Sequence, residues 1–306
     1  MQTPDFDPGL TQKFDRPVRR IINKNGGFNV QRVGTTWRDF HPYLRLVNMR
    51  WPGFLGTLCF GYVLLNTLFA SAYFWFTPGQ LHGDTAAGGL HRFWNDFFFS
   101  THTLTTVGYG NIAPAGLGAN LLASLEGAVG VLGFAVATGL LYGRVSRPSA
   151  RIGFSANALI APCQQGTSLQ FRVVNRRANS IVGLEARVLL MTVEGVGTES
   201  RRSYSVLKLE RNEVLFLPLT WTVVHPIDVS SPLFGKTAKD LDRLQAELLI
   251  LLKGYDDTFN QTVIARYSYR HDEFRWTMRF APAFFVNPQG DMVLELRKVG
   301  ELEAVS

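Results

Sequence analysis

Residues 91–110 read His91-Arg92-Phe93-Trp94-Asn95-Asp96-Phe97-Phe98-Phe99-Ser100-Thr101-His102-Thr103-Leu104-Thr105-Thr106-Val107-Gly108-Tyr109-Gly110, an aromatic run that ends in a Gly-Tyr-Gly triplet. What flanks this run decides how it folds. Residues 51–81 hold no charge, and residues 111–143 hold only Glu126. Each stretch exceeds the roughly 20 apolar residues that cross a bilayer core. Two spans are therefore expected, at about 52–76 and 117–142, although the mean hydropathy of +0.04 conceals them. Residues 91–104 are too short to cross and sit between two segments that do, so they are expected to form a re-entrant helix. The irregular backbone that follows is tolerated at membrane depth only inside protein or beside water.

The basic residues orient the spans. Residues 1–50 hold nine Lys and Arg against four Asp, Arg144, Arg147 and Arg151 follow the second span, and only Arg92 lies between the spans. This enrichment at the outer flanks places both termini in the cytoplasm. It also accounts for the net charge of +7 without nucleic acid as a partner. Met1-Gln2-Thr3-Pro4-Asp5 is not a secretory start, so the first span is expected to serve as a retained insertion signal. Cys59 lies in the first span and Cys163 beyond the second, which leaves no ready disulfide or metal spacing.

Polar residues 1–34 suggest an extended or mobile cytoplasmic arm. Over 35–50, Trp37, Phe40, Tyr43, Leu44 and Val47 recur at helical spacing among Arg38, Asp39, Arg45 and Asn48. That pattern is either an interfacial slide helix or an ordinary docked helix, and Pro42 requires a start close to itself. Residues 51–148 make the two-span pore domain. Past residue 148 the period changes to two: Leu169, Phe171 and Val173 alternate with Gln170 and Arg172, as do Leu184, Ala186, Val188 and Leu190 with Glu185 and Arg187. Further strand-like runs fall at 203–209, 214–224, 247–252, 262–269 and 274–280, with one helical patch near 238–244. The fold class is thus a membrane α domain of two transmembrane helices and a pore helix, followed over 149–306 by an all-β sandwich.

The chemistry of residues 106–110 lies in the backbone. A dehydrated cation needs oxygens to replace its water, and carboxylates would hold it too tightly for rapid exit. Consecutive carbonyls turned to one side serve better, and glycine at alternate positions, Gly108 and Gly110, is the least costly way to turn them. Val107 and Tyr109 then point into surrounding protein, and Thr106 adds a hydroxyl at the inner end. One chain supplies one such loop, so a closed pore requires several chains.

Thr106-Val107-Gly108-Tyr109-Gly110 is the five-residue sequence that four chains contribute to potassium-channel filters, the worked case from which this rule is drawn. The resemblance narrows further with Ala137-Thr138-Gly139-Leu140, Arg147-Pro148, and the stretches Trp221-Thr222-Val223-Val224-His225-Pro226-Ile227-Asp228 and Ser231-Pro232-Leu233-Phe234-Gly235. With these, the chain resembles the prokaryotic inward-rectifier potassium channels, the KirBac group. The resemblance implies a homotetramer in the bacterial inner membrane and passive conduction of K+ bound by Thr106, Val107, Gly108 and Tyr109. It also implies an immunoglobulin-like cytoplasmic domain and control by anionic lipids, phosphoinositides above all, with no cofactor beyond the permeant ion.

Carried over by residue, Tyr142 falls at the family's bundle crossing and Phe134 at the cavity position that is acidic in strong rectifiers. Either they gate the pore or they are aromatics packed between helices. His102 stands where many relatives have glutamate behind the filter; it is either a pH-sensitive support or a neutral hydrogen-bonded ring. Glu126, an acid inside a span, either faces the cavity or braces a neighbour's pore helix. Arg38, Arg45, Arg50, Arg147 and Arg151 form a basic collar suited to anionic lipid. His225 with Asp228 reads as structural, and His271-Asp272-Glu273 as a solvated loop; neither has a nucleophile at useful spacing, so no enzyme is expected. The rival functions are a membrane-anchored sensor with a non-conducting pore and a subunit of an ion-coupled potassium transporter.

Overall fold

The structure, a computed structural model, describes residues 9–10, 20–34, 36, 41–83, 89–146, 151–163, 166–195 and 201–304. The chain divides into two compact units, one over residues 33–147 and one joining the residues before 33 to the C-terminal half.

In the first unit, helix α1 (Pro42–Asn48) starts on its proline, whose missing N–H would be unpaired at that position anyway. Residues 35 and 37–40 of the expected slide helix lie outside the described residues. Helices α2 (Trp51–Phe76) and α4 (Leu117–Val145) have 26 and 29 residues, about 39 and 44 Å at 1.5 Å per residue, enough for a hydrocarbon core of about 30 Å. Only 17% and 11% of their most apolar windows are buried, which separates them from core helices of a water-soluble protein. The hydroxyls of Thr57, Thr67 and Ser71 donate to the carbonyls of Gly53, Val63 and Thr67, so none faces lipid with an unpaired donor. Between the spans lies α3 (Gly89–Leu104), 16 residues and too short to cross. Strand β1 (Leu81–His82) pairs with β2 (Ala113–Pro114). Gln80 accepts the Ala119 N–H at 3.1 Å, satisfying one orphan donor at the start of α4.

The second unit runs through β3 (Ile152–Phe154), β4 (Ala158–Cys163), β5 (Gly166–Asn175), β6 (Ile181–Glu194), β7 (Arg201–Val206) and β8 (Glu213–Phe216). It continues with β9 (Thr220–Ile227), α5 (Ala238–Arg243), β10 (Glu247–Asp256), β11 (Gln261–Arg270) and β12 (Phe274–Trp276). Strands β13 (Met278–Phe280) with β16 (Leu302–Ala304), and β14 (Phe284–Val286) with β15 (Met292–Leu294), make two small pairs. One sheet runs β11-β10-β6-β7, with β8 also on β6; the other runs β12-β4-β5-β3, with β9 on β5. A single core draws Leu169, Phe171, Val173 and Val223 from the second sheet and Leu184, Val188, Leu190, Leu248 and Ile250 from the first. This is the sandwich that the period-two alternation implies.

Two expectations need correction. The arm is not loose where it is described, because Ile21 and Ile22 are buried against Met191 and Leu249. The Ile21 N–H donates to both oxygens of the buried Glu247 carboxyl at 3.1 Å, and Ser268 Oγ donates to the Ile22 carbonyl at 2.7 Å. Nor is Glu273 part of a solvated loop: it takes Arg20 at 2.5 Å and Lys24 at 2.7 Å. Lys24 also lies 4.4 Å over the Tyr267 ring.

Candidate ion filter and its supports

Helix α3 delivers its C-terminal end straight into residues 106–110, the candidate filter. The Thr105 N–H donates to Thr101 O and the Thr106 N–H to Thr103 O, at 3.2 and 3.0 Å. The N–H groups of both Val107 (2.9 Å) and Gly108 (3.2 Å) then fold back onto the carbonyl of His102. Thr106, Gly108 and Gly110 have φ of +59°, +52° and +81°, while Val107 and Tyr109 stay on the negative side. Handedness that alternates residue by residue turns successive peptide planes the same way, so their carbonyls share one side. For the two glycines this is nearly free. For β-branched Thr106 it is strained, on the order of 1–3 kcal/mol, a cost typical of functional backbone.

His102 meets this backbone twice, through its doubly accepting carbonyl and through its ring, which lies edge-on to Tyr109 at 4.8 Å. Glu126 does not face a cavity. It is fully buried and accepts Tyr73 Oη at 2.7 Å and Ser100 Oγ at 2.5 Å, contacts to α2 and α3 of its own chain. Phe134 and Tyr142 are 76% and 72% exposed, so within one chain neither is packed between helices. Arg45 and Arg50 are exposed on the first unit and Arg151 on the second. Arg38 and Arg147 lie outside the described residues. In the β unit, His225 is buried with Nδ1 2.6 Å from the Lys208 carbonyl and Nε2 2.8 Å from Ser231 Oγ, the structural role expected of it.

Sequence reasoning missed Arg144 as more than flanking charge. Its guanidinium donates to the carbonyls of Leu46 (3.2 Å), Val47 (3.1 Å) and Met49, and lies 4.6 Å over the Trp51 ring. It therefore satisfies the orphan carbonyls at the end of α1. The available signal was a cation in the last turn of a helix, which does not say whose carbonyls it will reach. Tyr73, Ser100 and Asn66, the polar residues around Glu126, were missed for the same reason: each is an ordinary polar residue until folding brings it to the acid.

What this arrangement offers an ion is a file of main-chain oxygens with no carboxylate among them, between two membrane-crossing helices. That defines the class, a pore subunit of a potassium channel. Residues 152–306 match the family model "Inward rectifier potassium channel C-terminal domain", and residues 54–147 match "Ion channel". Inward rectifier potassium channel Kirbac3.1 of Paramagnetospirillum magnetotacticum is 35% identical over 96% of this chain and 99% of its own length. Inward rectifier potassium channel 18 of Homo sapiens is 28% identical over 92% of this chain and 70% of its own length. ATP-sensitive inward rectifier potassium channel 12 of Bos taurus is 27% identical, over 92% and 71%. The chain belongs to the inward rectifier potassium channels, membrane proteins that pass K+ and are not enzymes.

Proposed function

We propose that four copies of this chain surround one pore in the bacterial inner membrane, with both termini cytoplasmic and K+ handed along the carbonyls of Thr106, Val107, Gly108 and Tyr109 up to Gly110. The observation that carries this is the alternating backbone hand at 106, 108 and 110. Two facts support the assembly. Val107 and Tyr109 are exposed in the single chain, 53% and 74%, although a filter needs both braced. One loop alone also supplies oxygens from one side only. The scarcity of Lys and Arg between the spans, where Arg92 stands alone, supports the orientation.

In this reading Phe134 and Tyr142 present their rings to the pore below the filter and obstruct or dewet it. His102 and Glu126 support the filter. Arg45, Arg50 and Arg151, with Arg38 and Arg147, meet anionic lipid, phosphoinositide in particular, and the β unit sets the gate. No cofactor beyond the permeant ion is invoked. Purified protein in liposomes should take up K+ or Rb+ passively, exclude Na+, and be blocked by Ba2+. Equal passage of Na+, or a stable monomer in the bilayer, sinks the proposal.

A further inference from the structure

Glu126 sits within α4 at full burial, a position where an acid is expensive unless its oxygens are used. Both are used, by donors from two other helices. Tyr73 Oη of α2 donates to Oε2 at 2.7 Å, and Ser100 Oγ of α3 to Oε1 at 2.5 Å. Asn66, two turns before Tyr73 on α2, brings Oδ1 to 3.2 Å from Ser100 Oγ and donates its own amide to the Tyr62 carbonyl at 2.7 Å. The single Ser100 proton goes to the nearer acceptor, Glu126. Asn66 then fixes the serine's surroundings without competing for its bond.

A second contact lies one turn along. At Gly130, an added Cβ would run into the backbone carbonyl of Leu104. The spacings coincide: 126 and 130 on α4, and 100 and 104 on α3, are each four residues apart and so lie on one face of their helix. The two helices thus meet at two points a turn apart. A single contact would leave a pivot, whereas two fix rotation as well as separation. Leu104 is the last residue of α3, and the strained Thr106 follows almost at once. Whatever turns α3 about its axis therefore turns the backbone that faces the ion.

We propose that Glu126 is a positioning residue for ion selection: through Ser100 and Tyr73, with Gly130 seated under Leu104, it clamps the inner helix to the pore helix and holds the filter in its selective geometry. The proposal rests on residues 106–110 being the filter. A glutamate suits the task because two oxygens receive hydroxyls from different helices at once. Glutamine retains one such oxygen, and a hydroxyl can rotate to accept from its amide, so it should substitute in part. Alanine retains neither contact.

The test is the K+ over Na+ permeability ratio of assembled protein in liposomes, taken from competing Rb+ and Na+ fluxes after size selection of the oligomer. Glu126→Ala should lower the ratio tenfold or more. Ser100→Ala and Tyr73→Phe should each lower it by a smaller factor and add little when combined with Glu126→Ala, because they remove the same clamp. Glu126→Gln should recover the ratio to within about threefold of the parent. A merely structural role would reduce thermal stability or yield and leave the ratio of the assembled fraction unchanged, and that result overturns the proposal. If Glu126→Ala does not assemble, the two hydroxyl variants decide, and an unchanged ratio in both overturns it equally. Should the unsubstituted protein itself admit Na+ as freely as K+, the filter reading fails, and the clamp fails with it.

Discussion

Thr106, Gly108 and Gly110 share a left-handed backbone at unequal cost, and the middle position exposes the principle best. Among the described residues no atom would obstruct a Cβ at Gly108, so its requirement is conformational and not steric. An L-residue there costs about 1–2 kcal/mol. Gly108→Ala should therefore abolish K+ flux while leaving the β unit's melting unchanged; retained selective flux would refute the assigned backbone. His225 makes a different residue-scale argument. The Lys208 carbonyl can only accept, so Nδ1 carries the proton and Nε2 must receive one from Ser231, whose oxygen also takes the Leu233 N–H at 3.2 Å. Burial pushes His225 below its ordinary 6.5, against the raising effects of the Lys208 carbonyl and Asp228. A depressed histidine contributes stability that is whole above pH 6.5 and is lost as pH falls through the folded value. The thermal midpoint should drop over that range in the parent and much less in His225→Gln, and parallel pH profiles would count against this linkage.

At the scale of elements, α1 depends on a partner. Seven residues are too few for a helix to persist in water by propensity alone. Arg144 supplies what is missing by capping its C-terminal carbonyls and stacking on Trp51 and Phe54. Arg144→Ala should cost about 1.5–3 kcal/mol locally and release α1, seen as faster exchange at Arg45–Asn48; unchanged exchange would mean that lipid or packing alone holds it. The elements differ in how far the sequence betrays them. Both spans and α3 were legible because an uncharged run of that length has few other uses. Strands β5 and β6 were legible because one face is apolar and the other polar. Strand β4 was not, since Ala158-Leu159-Ile160-Ala161 is buried at every position and shows no alternation. The run 214–224 read as one strand but is two, β8 and β9, divided around Pro218, which cannot donate to a ladder. The run 274–280 breaks likewise at Thr277, whose φ is +54°.

For the whole molecule, the chain passes between its two units twice, and the docked arm is what makes the first passage begin on the β unit. The docking was illegible because it uses backbone groups and scattered cations with no period. The alternating glycines of 106–110, the spans and the sandwich all announce themselves by repetition, and a latch does not. Its strength hinges on Glu273. Burial alone would raise this carboxyl, but the Lys24 ammonium, the Arg270 N–H and the Arg20 guanidinium outweigh it and hold Glu273 below its ordinary 4.5. A depressed carboxyl contributes stability that is present above pH 4.5 and lost as pH falls through the folded value. Lys24 is partly solvated, so the latch is worth about 1–2 kcal/mol, or roughly 5–30-fold in the opening equilibrium. The Asn29 N–H, bonded to the Ile21 carbonyl at 3.0 Å, and the Gly26 N–H, bonded to Asn23 at 2.8 Å, report on it directly. Their hydrogen-exchange protection, corrected for intrinsic rate, should fall by that factor as acid is added. Glu273→Gln should reproduce the loss at neutral pH, with amides of β6 and β10 unaffected in both cases. If protection at Gly26 and Asn29 survives that substitution, the Glu247 and Ser268 contacts to Ile21 and Ile22 hold the arm by themselves, and the latch is not an ionic one.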